Sequence, residues 1–469
     1  MSAVHVSPFS GTWYPAEAAE LNRLLEESFE LSRQRTGPFL FRNAYGYVVP
    51  HAGPEYSGVV AASVYRALRQ QNPERIVLLA FPHHGGLRGA AVPDLDSIST
   101  PLGSVAIDPF LPPQFPRVTE RSVCDHSFEI QLPFLQKAAP EARLCPLYVG
   151  VMTDSERHAL AQHLAEEWRP GTVLIASSDF THYGRSFGYV PFPADAHISK
   201  RLHELDFECA EAAGSLDSFL FLQTLSATGA TVCGSAPISL LLDTLRLISP
   251  DGLFQASLDY QTSGDVTGDF RHTVSYAALG YYGRDAFDLD AEDREALLAS
   301  AEETLRRLSH TGLRDAVRPR GSVALESHRG VFVSLHRGQE LLGCMGHCIG
   351  QEPLADAVPE LALAAALEDP RFPRGEALAG PFQVEISVLT PLRRIVRVSD
   401  FQVGRHGGLL RLRSAMGLLL PQVAPRQGWD AERFLEGLSV KSGLERHAYR
   451  ARDARLYVFE AQVFTRERP

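Results

Sequence analysis

Three apolar segments of this sequence each lead into a turn that carries a histidine. The segments are 45–49, 75–80 and 172–176, and the histidines are His51, His83 and His182. Imidazole nitrogens bind transition metals, and they also move protons near neutral pH. Each histidine alone has a simpler explanation, because the chain has 17 histidines and some must follow apolar segments by chance. Three histidines that each follow an apolar segment favour a shared pocket.

Cys233 adds a candidate sulfur ligand to these histidines. It precedes a helical pattern that has Pro237 in its first turn. The positive end of a helix dipole lowers the pKa of a nearby thiol, so we expect a thiolate that can bind a metal. The alternative is a small buried hydrophobic residue. We assign three other cysteines to packing: Cys124, Cys145 and Cys209.

Further polar groups accompany these candidates. His126 and Glu129 lie just ahead of a helical pattern, and Asp179 lies three residues before His182. Two imidazoles and a carboxylate suit nonheme Fe(II), and a thiolate in place of the carboxylate also admits Zn(II) or copper. His182, aided by Asp179, is the candidate acid or base beside an open coordination position.

The elements that must position these groups alternate between strands and helices. The strand patterns lie at 45–49, 75–80, 144–149 and 172–176, and helical patterns lie at 57–70 and 156–168. This alternation predicts an α/β fold with a mostly parallel sheet. Ligands of such sheets bind outside the carboxyl ends of the strands, where the histidine turns would meet.

The second half of the chain has a less regular pattern that predicts an α+β fold. Its strand patterns are 331–335, 382–389 and 455–464, and its helical patterns are 290–308, 354–366 and 430–438. We place the domain boundary near 284–289, which gives domains 1–285 and 286–469. The second domain has 25 basic and 25 acidic residues, so the first carries the whole net charge of −11.

Length and composition exclude several classes of protein. The chain has 469 residues, of which 45% are hydrophobic and 22% charged, as in a globular protein of two or three domains. No apolar run reaches the roughly 18 residues of a membrane-spanning helix, and we see no secretory signal. Six cysteines favour a reducing cytoplasm over a disulfide scaffold. The acidic first domain argues against nucleic-acid binding.

The motifs of the first half resemble those of the Memo family, in the same order. They are PFSGTWYP at 8–15, PHAG at 50–53, YSG at 56–58, PHH at 82–84, HSFEIQLP at 126–133, SSDFTH at 177–182, CG at 233–234 and SYAA at 275–278. Memo proteins are similar in fold to the catalytic subunits of extradiol, LigB-type nonheme iron dioxygenases. The resemblance implies the ligands His51, His83 and Cys233, surrounded by Asp179, His182, His126 and Glu129. At the position that corresponds to Cys233, the dioxygenases have a carboxylate.

The second half resembles the AMMECR family. The motifs that carry this resemblance are LGCMG at 342–346, VEISVLTPL at 384–392, GRHGGL at 404–409, LLPQVA at 419–424, WD at 429–430 and FL at 434–435. Cys344 lies between glycines, in what we interpret as an exposed turn. It is a candidate catalytic residue of a cleft with Glu385, Arg405 and His406. The alternative is that Cys344 packs and the glycines only make turns.

Members of both families occur in prokaryotes with a radical-SAM protein, in the AmmeMemoRadiSam system. The resemblance therefore implies a radical-SAM partner and a shared pathway for the two halves. Our leading hypothesis is a metal-dependent oxidoreductase that holds Fe(II), or alternatively copper or zinc, and acts on a small molecule or peptide. In it His182 and Asp179 move protons, while His126 and Glu129 orient substrate or water. A non-catalytic binding or scaffold protein and a copper or iron delivery protein are the alternatives.

Overall fold

A computed structural model describes residues 4–108, 110–111, 115–120 and 123–466. The chain divides into two compact units, Met1–Ala286 and Phe287–Pro469. Among the described residues, no helix combines the length and the apolar character that crossing a membrane requires.

The first unit alternates strands and helices along the chain. Its strands are β1 (Val4–Val6), β2 (Ala44–Val49), β3 (Arg75–Ala80), β4 (Ala90–Pro93), β5 (Ser97–Thr100), β6 (Gly103–Ala106), β7 (Arg117–Val118), β8 (Arg143–Val149), β9 (Thr172–Ser177), β10 (His182–Gly184), β11 (Phe254–Thr262) and β12 (His272–Tyr282). Its helices are α1 (Ala18–Thr36), α2 (Pro54–Gln71), α3 (His126–Glu129), α4 (Leu132–Ala138), α5 (Asp154–Glu167), α6 (Ile198–Gly214), α7 (Ser218–Thr228), α8 (Ser235–Ile248) and α9 (Ser263–Thr267).

The main sheet of this unit has a parallel centre and antiparallel edges. Its strand order is β10-β12-β2-β9-β3-β8-β4-β7, and β11 also pairs with β12. The neighbours β2, β9, β3 and β8 run parallel, whereas β12 and β4 join them in the antiparallel sense. The four parallel strands are those expected from the apolar runs, which confirms the predicted α/β fold. Strands β1, β5 and β6 form a separate small sheet.

Helices cover both faces of the parallel strands. Val48 packs in one hydrophobic cluster with residues of α8, while the hydroxyl of its neighbour Tyr47 contacts Gln71 of α2 at 3.4 Å. Successive strand residues point to opposite faces, so α2 and α8 lie on opposite sides. A strand covered on both faces needs apolar residues throughout, which explains the unbroken runs. Helix α5 begins with a capping box formed by Thr153 and Glu156.

The second unit is α+β, as predicted. Its strands are β13 (Val331–Arg337), β14 (Glu340–His347), β15 (Gln383–Leu389), β16 (Arg393–Ile395), β17 (Gly407–Leu412), β18 (Ala415–Leu419), β19 (Arg455–Phe459) and β20 (Ala461–Thr465). Its helices are α10 (Ala291–Thr311), α11 (Leu354–Leu367), α12 (Val423–Gln427) and α13 (Ala431–Lys441). Two antiparallel sheets result, with strand orders β14-β13-β15-β20 and β16-β19-β17-β18.

The glycines around Cys344 do not form a turn, so that prediction is wrong. Cys344 lies inside β14 and pairs with Ser334 of β13. The glycines allow close packing on this strand. A Cβ on Gly343 would lie 2.0 Å from the carbonyl oxygen of Ala365 in α11, and a Cβ on Gly346 would lie 2.4 Å from the Phe332 ring.

Candidate metal centre

The three histidine turns follow neighbouring strands of the main sheet. His51 follows β2, His83 follows β3, and β9 between them leads to His182. Because these strands are parallel, their carboxyl ends meet at one edge. Cys233 reaches the same edge from the segment before α8. The ligand atoms of His51, His83 and Cys233 all lie within 4.8 Å of one another, so the structure brings the three expected ligands together.

Hydrogen bonds fix which nitrogen of His51 is available to a metal. The Ser177 hydroxyl donates its single hydrogen to the carbonyl oxygen of Ser127, and it accepts from Gln131 Nε2 at 3.0 Å. The contact of 3.1 Å between His51 Nδ1 and Ser177 Oγ must therefore be donated by the imidazole. His51 Nε2 then keeps its lone pair, and it lies 3.2 Å from Cys233 Sγ.

Asp125 fixes the orientation of His83 in a similar way. Its Oδ1 accepts from His83 Nδ1 at 2.9 Å, and its Oδ2 accepts from the His83 backbone N–H at 3.2 Å. Burial alone would raise the pKa of Asp125, but hydrogen bonds from His126 and His83 outweigh it and hold the pKa well below its usual value. A carboxylate can only accept, so Nδ1 carries the hydrogen and His83 Nε2 is the nitrogen available as a ligand.

Burial determines the protonation of His51 and Cys233 in the metal-free chain. His51 is only 2% exposed, and burial, with the nearby His126 and His83, lowers its pKa well below the usual value. The imidazole is thus neutral, which is its ligand form. Burial, reinforced by the charge of Asp179, raises the pKa of Cys233 well above that of an ordinary thiol. The lowered pKa expected from the helix is therefore not found, because burial and the charge of Asp179 dominate. A bound cation is what would compensate a buried thiolate.

Gly234 lets the cysteine segment approach strand β9. A Cβ on this residue would lie 2.4 Å from Ser178 Cβ and 2.6 Å from the carbonyl oxygen of Ser177. The Gly234 N–H also donates to Ser178 Oγ at 2.9 Å. Close backbone contact thus places Cys233 against the strand end.

We expect Gly234→Ala to destabilise the chain by about 1–3 kcal/mol, because the added methyl group forces the segment away from β9. Urea unfolding of the full chain measures the change. Ser235→Ala, at the next position, should stay within about 0.5 kcal/mol of the wild type. Equal stability of the two variants would show that the approach is not tight.

Asp179 acts on the backbone of the first histidine turn. Its Oδ1 accepts the N–H groups of His51 at 2.8 Å and of Ala52 at 3.3 Å. Burial raises the pKa of this carboxyl, and electrostatic interactions with His182 and His126 and the two backbone N–H groups oppose that rise. Asp179 therefore positions His51, and its influence on His182 is electrostatic.

One ring nitrogen of His182, Nε2, has no hydrogen-bond partner among the described residues. Its Nδ1 lies 3.0 Å from the carbonyl oxygens of both Phe180 and Thr231. Carbonyl groups only accept, so Nδ1 carries a hydrogen and Nε2 is available to exchange a proton. The ring also meets Phe187 at a centroid distance of 5.2 Å.

His126 lies against both ligand histidines. Its ring centroid is 4.2 Å from that of His83 and 5.3 Å from that of His51. Trp13, which is 39% exposed, stacks on His126 at 4.5 Å. With Phe81 beside His83 and Phe187 beside His182, aromatic rings contact three of the site histidines.

Glu129 contacts a different set of residues from the one expected. Its Oε1 is 3.0 Å from His5 Nε2. The carboxylate also belongs to a cluster with His5 and Cys124, in which the potential ligand atoms lie within 4.8 Å of one another. Cys124, which the sequence assigns to packing, is thus one of three candidate ligands in this cluster.

Sequence reasoning missed the residues that orient the candidate ligands. Asp125 directly precedes His126, and its place ahead of a helix was the only available signal. Ser177 and Gln131 both lie in motifs noted above, yet a buried serine or glutamine has no distinctive pattern. Gln131 Nε2 donates to the carbonyl oxygen of Pro50 at 2.8 Å, and its Oε1 accepts from Tyr65 at 2.6 Å. These contacts appear only when distant segments meet.

In the second unit, Cys344 and Glu385 lie on one face of a sheet, since both pair with Ser334 of β13. Burial raises the pKa of the Cys344 thiol. The Cys344 N–H donates to Asp369 at 2.8 Å, and Asp369 also binds the Arg371 guanidinium. The backbone of Cys344 is thus held by an acidic residue and an arginine that the sequence did not indicate.

The other two members of the expected cleft have structural contacts. Arg405 forms an ion pair with Glu460 at 2.8 Å. His406 is fully buried, and its Nδ1 accepts the N–H of Gln402 at 3.0 Å. Burial, with the charges of Arg393 and Arg405, lowers the pKa of His406 to about 3. It is a neutral residue that closes the turn at 402–406, whereas Glu385 pairs with Arg426 at 3.4 Å.

The fold and the site define a class: a mixed α/β protein with a His, His, Cys candidate metal centre at the carboxyl ends of parallel strands. Residues 7–280 match the family of Memo-like proteins, and the chain belongs to that family. Residues 298–464 match the AMMECR1 family. Both resemblances seen in the sequence are confirmed, and the chain is a fusion of the two domains.

Relatives match each half separately. The MEMO1 family protein MK0963 of Methanopyrus kandleri is 33% identical over 290 residues, which cover 58% of this chain and 96% of the relative. Protein MK0488 of the same organism is 37% identical over 191 residues, covering 39% of this chain and 92% of the relative. A crystal structure is known of uncharacterized protein PH0010 from Pyrococcus horikoshii, whose sequence is 34% identical to this one. The match covers 37% of this chain and 91% of PH0010, with a TM-score of 0.35.

Proposed function

We propose that the first unit is a nonheme-metal-dependent oxidoreductase of the dioxygenase type. The observation that carries this proposal is the convergence of His51, His83 and Cys233 within 4.8 Å of one another. Both imidazoles are anchored through Nδ1, by Ser177 and Asp125, which leaves Nε2 for coordination. Such hydrogen bonds commonly orient metal-binding histidines.

The donor set suits a transition metal with open coordination positions. Two neutral imidazoles and one thiolate are compatible with Fe(II), which we propose, and with copper or zinc as alternatives. When bound, Fe(II) would supply a Lewis acid that can also change its oxidation state. The buried cysteine fits this assignment, because none of the described residues within hydrogen-bond contact of Cys233 Sγ supplies a positive charge that would compensate a thiolate.

The remaining polar groups suit proton transfer beside the centre. His182 has its Nε2 available, and it would take a proton from the substrate or return one. His126 would orient the substrate. The aromatic rings of Trp13, Phe81 and Phe187 favour a substrate with an apolar or aromatic group.

The wider role of the chain follows from its two domains. We propose that both act on one pathway in the cytoplasm, with a radical-SAM protein as the partner and a small molecule or peptide as the substrate. The support is the presence of Memo-like and AMMECR1 domains in one chain. Cys344 remains the candidate functional residue of the second domain, next to Asp369 and Arg371.

Oxygen uptake by the full chain tests the activity. The protein is loaded anaerobically with Fe(II) and supplied with oxygen and the small-molecule fraction of bacterial and archaeal extracts. We expect more than one oxygen consumed per site. His182→Gln should slow the uptake about 10²–10⁴-fold, the contribution typical of a positioned acid or base. His163→Gln on α5 is the matched control.

Nitric oxide serves as a second probe, because it binds ferrous iron at open positions. Both variants should give the same electron paramagnetic resonance signal of the nitrosyl complex, so a selective loss of uptake in His182→Gln reports proton transfer. No catalytic uptake with iron, copper or zinc would overturn the proposal and favour the binding or delivery alternatives.

A further inference from the structure

A second group of potential metal ligands lies outside the centre described above. It consists of His5 on β1, Cys124 just before α3, and Glu129 at the end of α3. Their ligand atoms all lie within 4.8 Å of one another. No residue of this group belongs to the His51, His83 and Cys233 centre. Two segments more than 100 residues apart in sequence thus bring an imidazole, a thiol and a carboxylate together.

The carboxylate of Glu129 is the unusual member of this group. Its side chain is fully buried, with 0% exposure. One oxygen, Oε1, contacts His5 Nε2 at 3.0 Å. The other, Oε2, is buried and has no hydrogen-bond partner among the described residues. A buried carboxylate oxygen without a hydrogen-bond partner is costly, because it has lost its contacts with water. A cation held by the carboxylate would remove that cost.

The surroundings of the group also favour a cation. Glu120 is close enough for its negative charge to act on both His5 and Cys124. The Tyr148 hydroxyl is another neighbour, since it accepts the N–H of Asp125 at 3.2 Å and also contacts Cys124. Three carboxylates, those of Glu129, Glu120 and Asp125, are thus close enough for their charges to act on the Cys124 thiol.

We propose that His5, Cys124 and Glu129 form a second transition-metal site of this chain, with Zn²⁺ as the preferred ion. Imidazole, thiolate and carboxylate are the three ligand types that Zn²⁺ takes in proteins, and a water molecule or the second carboxylate oxygen completes four-fold coordination. The proposal is independent of the proposed oxidoreductase function, because it rests on other residues.

A metal at this position would tie the first strand of the chain to helix α3. Strand β1 pairs with β5 alone among the described strands, so it has few main-chain contacts of its own. Asp125, the N-cap of helix α3, orients His83 and His126. The second site would therefore stabilise the segment that supports the first.

Metal stoichiometry of the full chain tests this site. Metal is first removed from the protein with a chelator. The protein is then titrated with Co²⁺, whose thiolate complexes absorb in the near ultraviolet. In a separate sample, the zinc content is measured after dialysis against Zn²⁺. We expect two equivalents in the wild type and in the control variant Cys348→Ser. Cys124→Ser and Cys233→Ser should each retain one equivalent, and the double variant should retain none.

The outcomes separate the two sites. The second site would be overturned if Cys124→Ser still bound two equivalents of zinc. It would also be overturned if the wild type bound one equivalent and Cys233→Ser bound none. If Cys233→Ser bound one equivalent of zinc and Cys124→Ser bound none, the result would support the second site and contradict the first. If Cys124→Ser does not fold, His5→Gln decides, since this partly exposed residue on β1 can change without opening the core. Two equivalents in His5→Gln would then overturn the proposal.

Discussion

Cys233→Ser is expected to lower the affinity of the first domain for Fe(II) by about 100-fold or more. Cys233 supplies the only anionic atom of the His51, His83 and Cys233 set, and a serine hydroxyl stays neutral there. Loss of a residue that merely orients a ligand already weakens metal binding about 10–100-fold, so loss of the ligand itself should exceed this range. The new hydroxyl would also lie at hydrogen-bond distance from His51 Nε2, as Sγ does now at 3.2 Å.

Anaerobic titration against a competing chelator measures this affinity. The matched control is Cys348→Ser in the second domain, which should bind Fe(II) as the wild type does. Circular dichroism of both variants checks that the fold is kept. An unchanged affinity in Cys233→Ser would show that the sulfur is not a ligand, and the centre would then need a different third residue.

The second large effect is expected at Asp125, which does not itself belong to the His, His, Cys set. Asp125→Asn should lower the affinity for Fe(II) about 10–100-fold. The carboxylate accepts from the Nδ1 atoms of His83 at 2.9 Å and of His126 at 3.2 Å. Both Nδ1 contacts fall on Oδ1, which asparagine can keep, but the new N–H₂ group replaces Oδ2 and cannot accept the His83 backbone N–H, which Oδ2 now accepts at 3.2 Å. The neutral amide is also a weaker acceptor than the carboxylate, so the turn that holds His83 Nε2 toward the centre would shift.

A capping effect must be separated from this loss. Asp125 also caps α3, because its side chain accepts the N–H of Ser127 at 2.9 Å. Asparagine is as good a cap as aspartate, so capping should survive the substitution. Asp217→Asn, at the cap of α7, is the matched control and should leave metal affinity unchanged. If both variants lose metal equally, the effect comes from general destabilisation rather than from His83.

Much of the first domain could be predicted from the sequence for a simple physical reason. Central strands of a parallel sheet are covered on both faces, so β2, β3, β8 and β9 appear as unbroken apolar runs. Parallel strands present their carboxyl ends at one edge, which made the convergence of His51, His83 and His182 foreseeable. The ordered motifs of the two families supplied the rest of the domain assignment.

The wrong expectations share another cause. Cys344 was placed in a turn because of its flanking glycines, but Gly343 is needed where the backbone of α11 packs on β14. The thiol pKa of Cys233 was judged from its local helix, whereas burial beside Asp179 decides it. His406 is expected to line a cleft with Cys344, and it is instead a buried residue that closes a turn. Local sequence carries no information on packing by distant segments.

The sequence by itself determined the two domains, the parallel strands and the candidate ligands of the first centre, because periodicity and motif order are local properties. Only the tertiary structure decided which nitrogen of each histidine is free, since that depends on contacts with Ser177 and Asp125. It alone also joined His5 to Cys124 and Glu129. Such pairings arise when segments more than 100 residues apart in sequence are packed together, and no spacing within either segment encodes them.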